Sequence, residues 1–127
     1  MKTNDLILLD QVMEMINEQT FVDGYNIPKL YLIWTLQIVR IELVTQEEIS
    51  DVTSNAVWQL FTYTVFELYY REYKNIYLKC KELGKALEKY NDRLLENKTN
   101  GIGMEDKQWS TFFKSRLQYC IRIASLK

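Results

Sequence analysis

The most regular feature of the chain is a series of large apolar residues at alternating spacings of three and four. We call this series the apolar seam; it comprises Phe66, Tyr69, Tyr73, Ile76, Cys80, Leu83, Leu87, Tyr90 and Leu94. Such spacing is typical of a helix that packs one stripe against another surface. Because the chain has no Pro and a single Gly between Ala56 and Asn97, we predict one long helix over 56–97.

Two further helices are predicted before the seam. Leu9, Val12 and Ile16 share one face of a segment from about 4 to 19. The segment 28–44 is apolar on most sides, as expected for the central helix of a bundle, and its length favours a helix over a strand. This segment is shorter than the roughly twenty apolar residues that a membrane span needs. We therefore expect a soluble, cytoplasmic protein.

The segment Thr45-Gln46-Glu47-Glu48 has the pattern of a capping box, in which the Thr hydroxyl accepts the backbone N–H three residues later. This pattern predicts a helix that begins at Thr45. Thr53, Ser54 and Asn55 favour caps over helix interiors, which predicts an interruption or bend in that helix near them.

The same stretch resembles the opening of a helix-turn-helix motif, with the small Ser50 where the two helices of that motif approach closely and Leu60 at a core position. The resemblance implies DNA binding through residues 45–63. However, Ser54 stands where the motif has its turn glycine, and residues 58–63 contain no Lys or Arg. A recognition helix of this kind lacks the phosphate attraction that supplies most DNA affinity.

The clearest loop of the chain is 97–103, which is rich in Asn and Gly. A last helix, over about 105–126, follows it and presents an apolar face that consists of Trp109, Phe112, Phe113, Leu117, Cys120, Ile123 and Ala124. Together, these patterns predict an all-α fold. We expect a single helical domain over 1–127, a bundle of four or five helices in which the helix over 56–97 is the longest.

The chain contains no histidine, which excludes Ser-His-Asp and Cys-His catalysis and the His-containing metal sites of helical bundles. Its two cysteines, Cys80 and Cys120, fall on apolar stripes, and we expect buried thiols rather than a disulfide. The segment 101–103 lacks the Lys and hydroxyl residues of a phosphate-binding loop. We therefore expect no enzymatic activity, metal or cofactor.

Charge is distributed unevenly along the chain. Residues 1–60 carry nine acids and three bases, whereas residues 61–127 carry thirteen bases and eight acids. One interpretation is that acidic early helices pack beside basic later ones in the same bundle. The alternative is a dipolar surface that steers a charged partner.

Tyr63, Tyr70 and Tyr77 are spaced by seven residues, so in a straight helix they would form a stripe beside the apolar seam. A wider apolar surface of this kind is typical of bundle packing rather than of a two-stranded coiled coil. Three interpretations of the stripe remain open: a buried core, a protein interface, and a platform on which the bases of single-stranded nucleic acid stack.

On the last helix, Arg116 falls near the centre of the apolar face, whereas Lys107, Lys114 and Arg122 fall on the other side. Arg116 either packs its stem and pairs with an acid from a neighbouring helix or is a charge reserved for a partner. The basic residues of this helix are also compatible with an anionic partner.

These observations predict a non-enzymatic protein that acts by binding another protein, such as a small inhibitor, a toxin-immunity protein or an adaptor. The candidate contact residues are Tyr63, Tyr70, Tyr77, Lys114, Arg116 and Arg122. A second copy of the chain is a further candidate partner, in a homodimer. The alternative function is nucleic-acid binding through residues 45–63 or through the basic last helix, and no membrane partner is expected.

Overall fold

The computed structural model describes residues 2–21, 26–91, 94 and 106–125. Its α-helices are α1 (Lys2–Glu18), α2 (Asn26–Gln46), α3 (Asp51–Leu60), α4 (Tyr70–Glu72), α5 (Lys74–Leu87) and α6 (Asp106–Ser125). A π-helix (Phe61–Tyr69) joins α3 to α4 without a break, and a 3-10 helix (Glu88–Tyr90) ends α5. The described residues therefore form five helical rods and no strand, which confirms the predicted all-α bundle.

The rods pack as a ring with one helix added to it. Helix α1 contacts α2 and α5, and α2 also contacts α3. The ring is completed because the π-helix, which continues α3, contacts α5. Helix α6 joins this ring through its contact with α2, which is therefore the central helix that its apolar sequence predicts.

The apolar seam faces the core, as predicted. Its fully buried members are Tyr69, Ile76, Cys80, Leu83, Leu87 and Leu94, and its partly buried members are Phe66, Tyr73 and Tyr90. Complete burial of one Leu side chain contributes about 1.5–3 kcal/mol to folding. Removing this much apolar surface from water holds the segment against α1 and the rest of the ring.

The prediction of one continuous helix over 56–97 is wrong. The backbone leaves the helical region at Tyr73, where φ is −132° and ψ is 58°. The helical segment also begins earlier, at Asp51, and the part of it that the structure describes has its last helical residue at Tyr90. Phe21, from the connection after α1, stacks on Tyr69 at 4.9 Å and meets Tyr73 edge-on at 4.6 Å between ring centroids. This tertiary packing accompanies the break, and residues 95–105, with the predicted loop 97–103, lie outside the described residues.

Helix α3 begins at a different cap from the one predicted. Thr45 is still inside α2, where its hydroxyl donates to the Ile41 carbonyl at 2.7 Å. The chain then turns at Glu47, which has a φ of 61°, and Ser50 caps α3 by accepting from the Thr53 N–H. The capping box at Thr45 is therefore wrong, because the hydroxyl it needs is used within the preceding helix.

Residues 53–55 lie inside α3, so the predicted bend there is also wrong. The same finding removes the basis of the helix-turn-helix resemblance. That motif requires a turn at Ser54, whereas Ser54 is a buried residue in the second turn of a continuous helix. The segment 45–63 is instead the end of α2, a short connection, α3 and the start of the π-helix.

Part of the uneven charge forms ion pairs between helices of the bundle. Acidic α1 packs beside lysine-rich α5, and α2 packs beside basic α6. Asp5 pairs with Lys89, with 2.8 Å between Oδ2 and Nζ, and Glu42 pairs with Arg116. Both pairs join an acid of the first half to a base of the second, as the interpretation of complementary packing predicts, whereas the pairs Lys2–Glu47 and Arg40–Asp10 lie within the first half.

Cys80 is a free thiol that is completely buried beside the seam leucines. Burial raises the pKa of this thiol to about 12, because the charged thiolate would lose its hydration. Cys80 is therefore a small core residue, as its place in the seam predicts. Among the helices that the structure describes, none is long and apolar enough to cross a membrane.

Candidate interaction surface

An open groove lies where the π-helix meets α4. Its volume is about 510 Å³, and it is lined by Phe66, Glu67, Leu68, Tyr70 and Arg71. All of these residues except the half-buried Phe66 are exposed, and Tyr70 leaves 52% of its surface open to solvent. We call this groove the junction surface. Sites for small ligands bury most of the surface of the ligand, whereas the walls of this groove are exposed. The groove therefore suits contact with a macromolecule better than binding of a small ligand.

One residue of the predicted tyrosine stripe, Tyr70, lines the junction surface, and a second, Tyr77, packs against it from α5. The rings of Tyr70 and Tyr77 meet edge-on at 5.0 Å, and Phe66 approaches Tyr77 at 5.7 Å. Tyr63 lies apart from them and instead meets Trp58 at 6.0 Å. The stripe is therefore divided: Tyr70 and Tyr77 are brought together across the break at Tyr73, and Tyr63 belongs to a different contact.

The π-helix explains why the spacing of seven does not align all three tyrosines. Its backbone hydrogen bonds join residues five apart, so successive side chains follow a different register from that of an α-helix. Nine residues, Phe61–Tyr69, have this geometry. π-helices are rare, occur mostly as single-turn bulges within α-helices and are frequent at functional sites, so the groove beside this one is a candidate site. A heptad pattern contains no signal that distinguishes the two registers.

Arg116 is held inside the protein. Its Nη2 donates to Oε2 of Glu42 at 2.7 Å, and the Glu42 carboxylate is completely buried. The same carboxylate accepts from the Ser50 N–H at 2.7 Å and from the hydroxyls of Ser50 and Thr53. This arrangement confirms that Arg116 pairs with an acid from a neighbouring helix. One carboxylate thereby joins α2, the N-terminus of α3 and α6.

The remaining bases of α6 point outward. Lys107, Lys114 and Arg122 are exposed, whereas Trp109, Phe112 and Phe113 are buried. Trp109 stacks on Tyr31 of α2 at 5.3 Å, so the aromatic face of α6 is used for packing within the chain. Lys114 and Arg122 lie on a helix that packs against α2, and Tyr70 and Tyr77 lie where α4 meets α5. The predicted contact residues therefore belong to separate surfaces.

A second polar cluster joins the start of α1 to the end of α5. Asp5 is buried and accepts hydrogen bonds from the Tyr90 hydroxyl and from Lys89. Burial alone would raise the pKa of Asp5, but these hydrogen bonds and the Lys89 charge outweigh it and hold that pKa below 3.8. Burial and the bond to Asp5 raise the pKa of Tyr90 to about 12. The cluster thus keeps an ionised carboxylate beside a protonated phenol and fastens the two helices.

Sequence reasoning did not identify Asp5 or Glu42 as anchoring residues. Glu42 lies in the most apolar helix, and a buried acid in such a helix is the available signal that a partner base must exist. Within the described part of the chain, no group of three or more acidic or thiol side chains is arranged to hold a metal ion. The carboxylates that are buried are already bonded to Arg, Lys, Ser, Thr or Tyr side chains.

Comparisons of this chain with protein-family models, with curated proteins and with solved structures find no match.

Proposed function

We propose that this protein is a non-enzymatic binding protein of the cytoplasm that acts by contacting another protein through the junction surface. The observation that carries the proposal is the exposure of Leu68 and Tyr70 in one open groove. The free thiol of Cys80 is in keeping with a reducing compartment. A small inhibitor, an immunity protein or an adaptor would act in this way.

The composition of the groove supports a protein partner. Tyr and Arg are enriched among the residues that dominate binding energy at protein interfaces, and the groove contains Tyr70 and Arg71 side by side. Tyr70 is held by its ring contact with Tyr77, so little side-chain freedom is lost when a partner packs on it. Glu67, on the same groove, supplies an acceptor at the rim.

The test is capture of a partner by the tagged protein from a lysate of its source cells, followed by mass spectrometry and reconstitution with the purified partner. We expect the double variant L68A/Y70A to retain less than a tenth of the partner, because each truncated interface residue of this kind weakens binding. Far-ultraviolet circular dichroism should show unchanged helicity, since both side chains are exposed.

The matched control is Val52→Ala on α3, which truncates another exposed apolar side chain (56% exposed) away from the groove. Capture by this variant should equal that of the unmodified chain. If L68A/Y70A and V52A capture the same proteins in the same amounts, the junction surface is not the binding site. Light scattering on the purified protein distinguishes a second copy of the chain from a different partner.

Nucleic-acid binding is the second candidate, and one observation favours it. Lys107, Lys114 and Arg122 are all exposed along the outer side of α6. Binding through these bases would retard duplex DNA in a gel at low salt and would weaken steeply as salt is added. Absence of retardation at low salt disposes of this candidate.

A further inference from the structure

The outer face of α5 has an unusual composition for a solvent-exposed helix face. Lys74, Leu78, Lys81 and Lys85 recur at spacings of four, three and four, so they lie in one row along the helix. All four are exposed, and Leu78 leaves 50% of its surface open to solvent. An isolated exposed Leu is ordinary, but here it lies in the middle of a row of lysines. We call these four residues the lysine row.

The lysines of this row have no acidic partner in the part of the chain that the structure describes. Among the described residues, neither an ion pair nor a side-chain hydrogen bond involves Lys74, Lys81 or Lys85. The other lysines of the segment are used: Lys79 pairs with Glu82 at 3.3 Å, and Lys89 pairs with Asp5. Among the described residues, the row therefore presents three lysines that form no ion pair around one exposed apolar side chain.

The junction surface contacts the helix that carries the lysine row. Tyr70, which lines the groove, meets the ring of Tyr77, and Tyr77 lies in α5 together with the four residues of the row. Arg71, which lines the groove, is exposed and adds a positive charge on the α4 side of the break at Tyr73, whereas the lysine row lies on the α5 side. A partner that fills the groove therefore meets a basic, partly apolar surface as it extends along α5.

We propose that the lysine row binds an acidic helical segment of the partner protein, whose apolar side chain packs on Leu78 while its Asp and Glu residues pair with the flanking lysines. This inference rests on the proposed function and adds the chemistry of the partner. An acidic amphipathic helix matches the row because its own side chains recur at the same spacings of three and four.

The same row is a poorer match for nucleic acid. A phosphate backbone would satisfy the lysines, but it would bury the exposed Leu78 against charged oxygens. An acidic protein segment uses the charge and the apolar side chain together. The two kinds of partner therefore differ in their dependence on Leu78.

The first experiment measures binding of a fluorescein-labelled synthetic peptide by fluorescence anisotropy. The peptide is an amphipathic helix with Leu on one stripe and Glu beside it; its counterpart has Lys in place of every Glu. We expect the Glu peptide to bind, the Lys peptide not to bind, and the affinity to fall as salt is added. No binding of the Glu peptide at low salt, or equal binding of both peptides, overturns the proposal.

Charge reversal locates the site. We expect K74E/K81E/K85E to weaken binding of the Glu peptide at least tenfold. The matched variant K107E/K114E/R122E changes the net charge equally on α6 and should weaken binding by no more than the long-range repulsion it introduces, about twofold. Equal losses in the two variants would show that the peptide responds to net charge alone and would overturn the assignment to α5.

The effect of truncating Leu78 distinguishes a protein partner from nucleic acid. We expect L78A to weaken the Glu peptide about fivefold, whereas I7A, which truncates a similarly exposed side chain on α1, leaves it unchanged. A single-stranded oligonucleotide serves as the second probe. If the oligonucleotide displaces the Glu peptide and neither ligand responds to L78A, the row is a general polyanion surface and the proposal fails.

The reconstituted partner distinguishes this inference from the proposed function. Loss of the partner in L68A/Y70A but not in K74E/K81E/K85E would support binding through the junction surface and overturn the proposal that the lysine row binds an acidic segment. Retention of the partner in L68A/Y70A with loss in K74E/K81E/K85E would support the lysine row as a binding site and overturn binding through the junction surface. Loss in both variants supports both proposals.

Discussion

The Arg116 guanidinium reaches across from α6 and donates a hydrogen bond of 2.7 Å to the buried carboxylate of Glu42 in α2. Two further residues, Ser50 and Thr53, donate to the same carboxylate from the start of α3. Arg116 itself also lies over the Tyr119 ring, with 4.4 Å from Cζ to the ring centroid. The pair is therefore part of a contact that neutralises the single fully buried acid of α2 among the described residues.

Removing the guanidinium is the most destabilising single change that we predict. Arg116→Met keeps the apolar stem but leaves Glu42 as an uncompensated buried charge. We expect the free energy of unfolding to fall by about 3–5 kcal/mol, as measured by urea denaturation. Arg122→Met, an exposed base on the same helix, should change it by less than about 0.5 kcal/mol.

The double variant E42Q/R116M checks the cause of that loss. Because it removes both charges, the double variant should be more stable than the sum of its two single variants predicts. Additive losses would show that Arg116 acts through packing on its neighbours rather than through its charge.

The start of α3 offers a test of which hydroxyl is the cap. Ser50→Ala removes the group that accepts from the Thr53 N–H and donates to Glu42, and we expect it to lower the free energy of unfolding by about 1–2 kcal/mol. Thr45→Ala removes only a hydroxyl bonded to the preceding turn of α2 and should cost less than half as much. Thermal or urea unfolding measures both losses. A larger loss for Thr45→Ala than for Ser50→Ala would show that Thr45, rather than Ser50, is the cap.

The apolar spacing predicts the helices and their buried faces well because burial is a property of each helix surface. The seam, the buried faces of α1 and α2 and the aromatic face of α6 all follow from it. The break at Tyr73 does not follow, since it accompanies packing against Phe21, which is remote in sequence. The predicted position of the cap is wrong for a similar reason. The start of α3 is fixed by the bond from the Ser50 N–H to the buried Glu42, and the position of Glu42 depends on the folded bundle rather than on the local motif at Thr45.

The candidate site was predictable only in part. Tyr70 and Tyr77 form a contact, but the heptad spacing could not reveal that a π-helix and a break lie between Tyr63 and them. Pairing with an acid was one of two interpretations of Arg116, and the sequence does not indicate which acid it meets, because Glu42 lies 74 positions away. Leu78 became notable only when the structure placed it on the exposed side of α5.

Asp5 predicts an acid-dependent loss of stability. Its folded pKa lies below the ordinary value of 3.8, so its ionised form stabilises the fold above pH 3.8, and this contribution disappears as pH falls through the lower folded value. We expect the difference in the free energy of unfolding between the unmodified chain and Asp5→Asn to be largest near neutral pH and to shrink below pH 3.8.

Tyr90→Phe removes one of the donors to Asp5 and should reduce the same acid-dependent change without abolishing it, because Lys89 remains. Urea unfolding at several pH values between about 2 and 7 measures both effects. A constant difference between the unmodified chain and Asp5→Asn across this range would contradict the lowered pKa.

Cys80 should be unreactive in the folded protein. Its pKa of about 12 leaves about one thiolate in ten thousand at pH 8, and the sulfur is inaccessible. In a Cys120→Ser variant, we expect a disulfide reagent to label Cys80 slowly in buffer and within the mixing time in concentrated denaturant. Rapid labelling in buffer would contradict the burial of this thiol.

The bond between Asp5 and Tyr90, which joins the start of α1 to the end of α5, has a consequence for the order in which the chain is assembled in a cell. The two residues are 85 positions apart, so Asp5 leaves the ribosome well before its partner has been synthesised. At about 5–20 residues per second, the interval is roughly 4–17 seconds. Throughout it, the face of α1 that α5 later covers has no α5 to pack against. The nascent chain therefore passes through a stage of several seconds in which α1 has been made and α5 has not, so that the face of α1 that packs on α5 is open to other contacts.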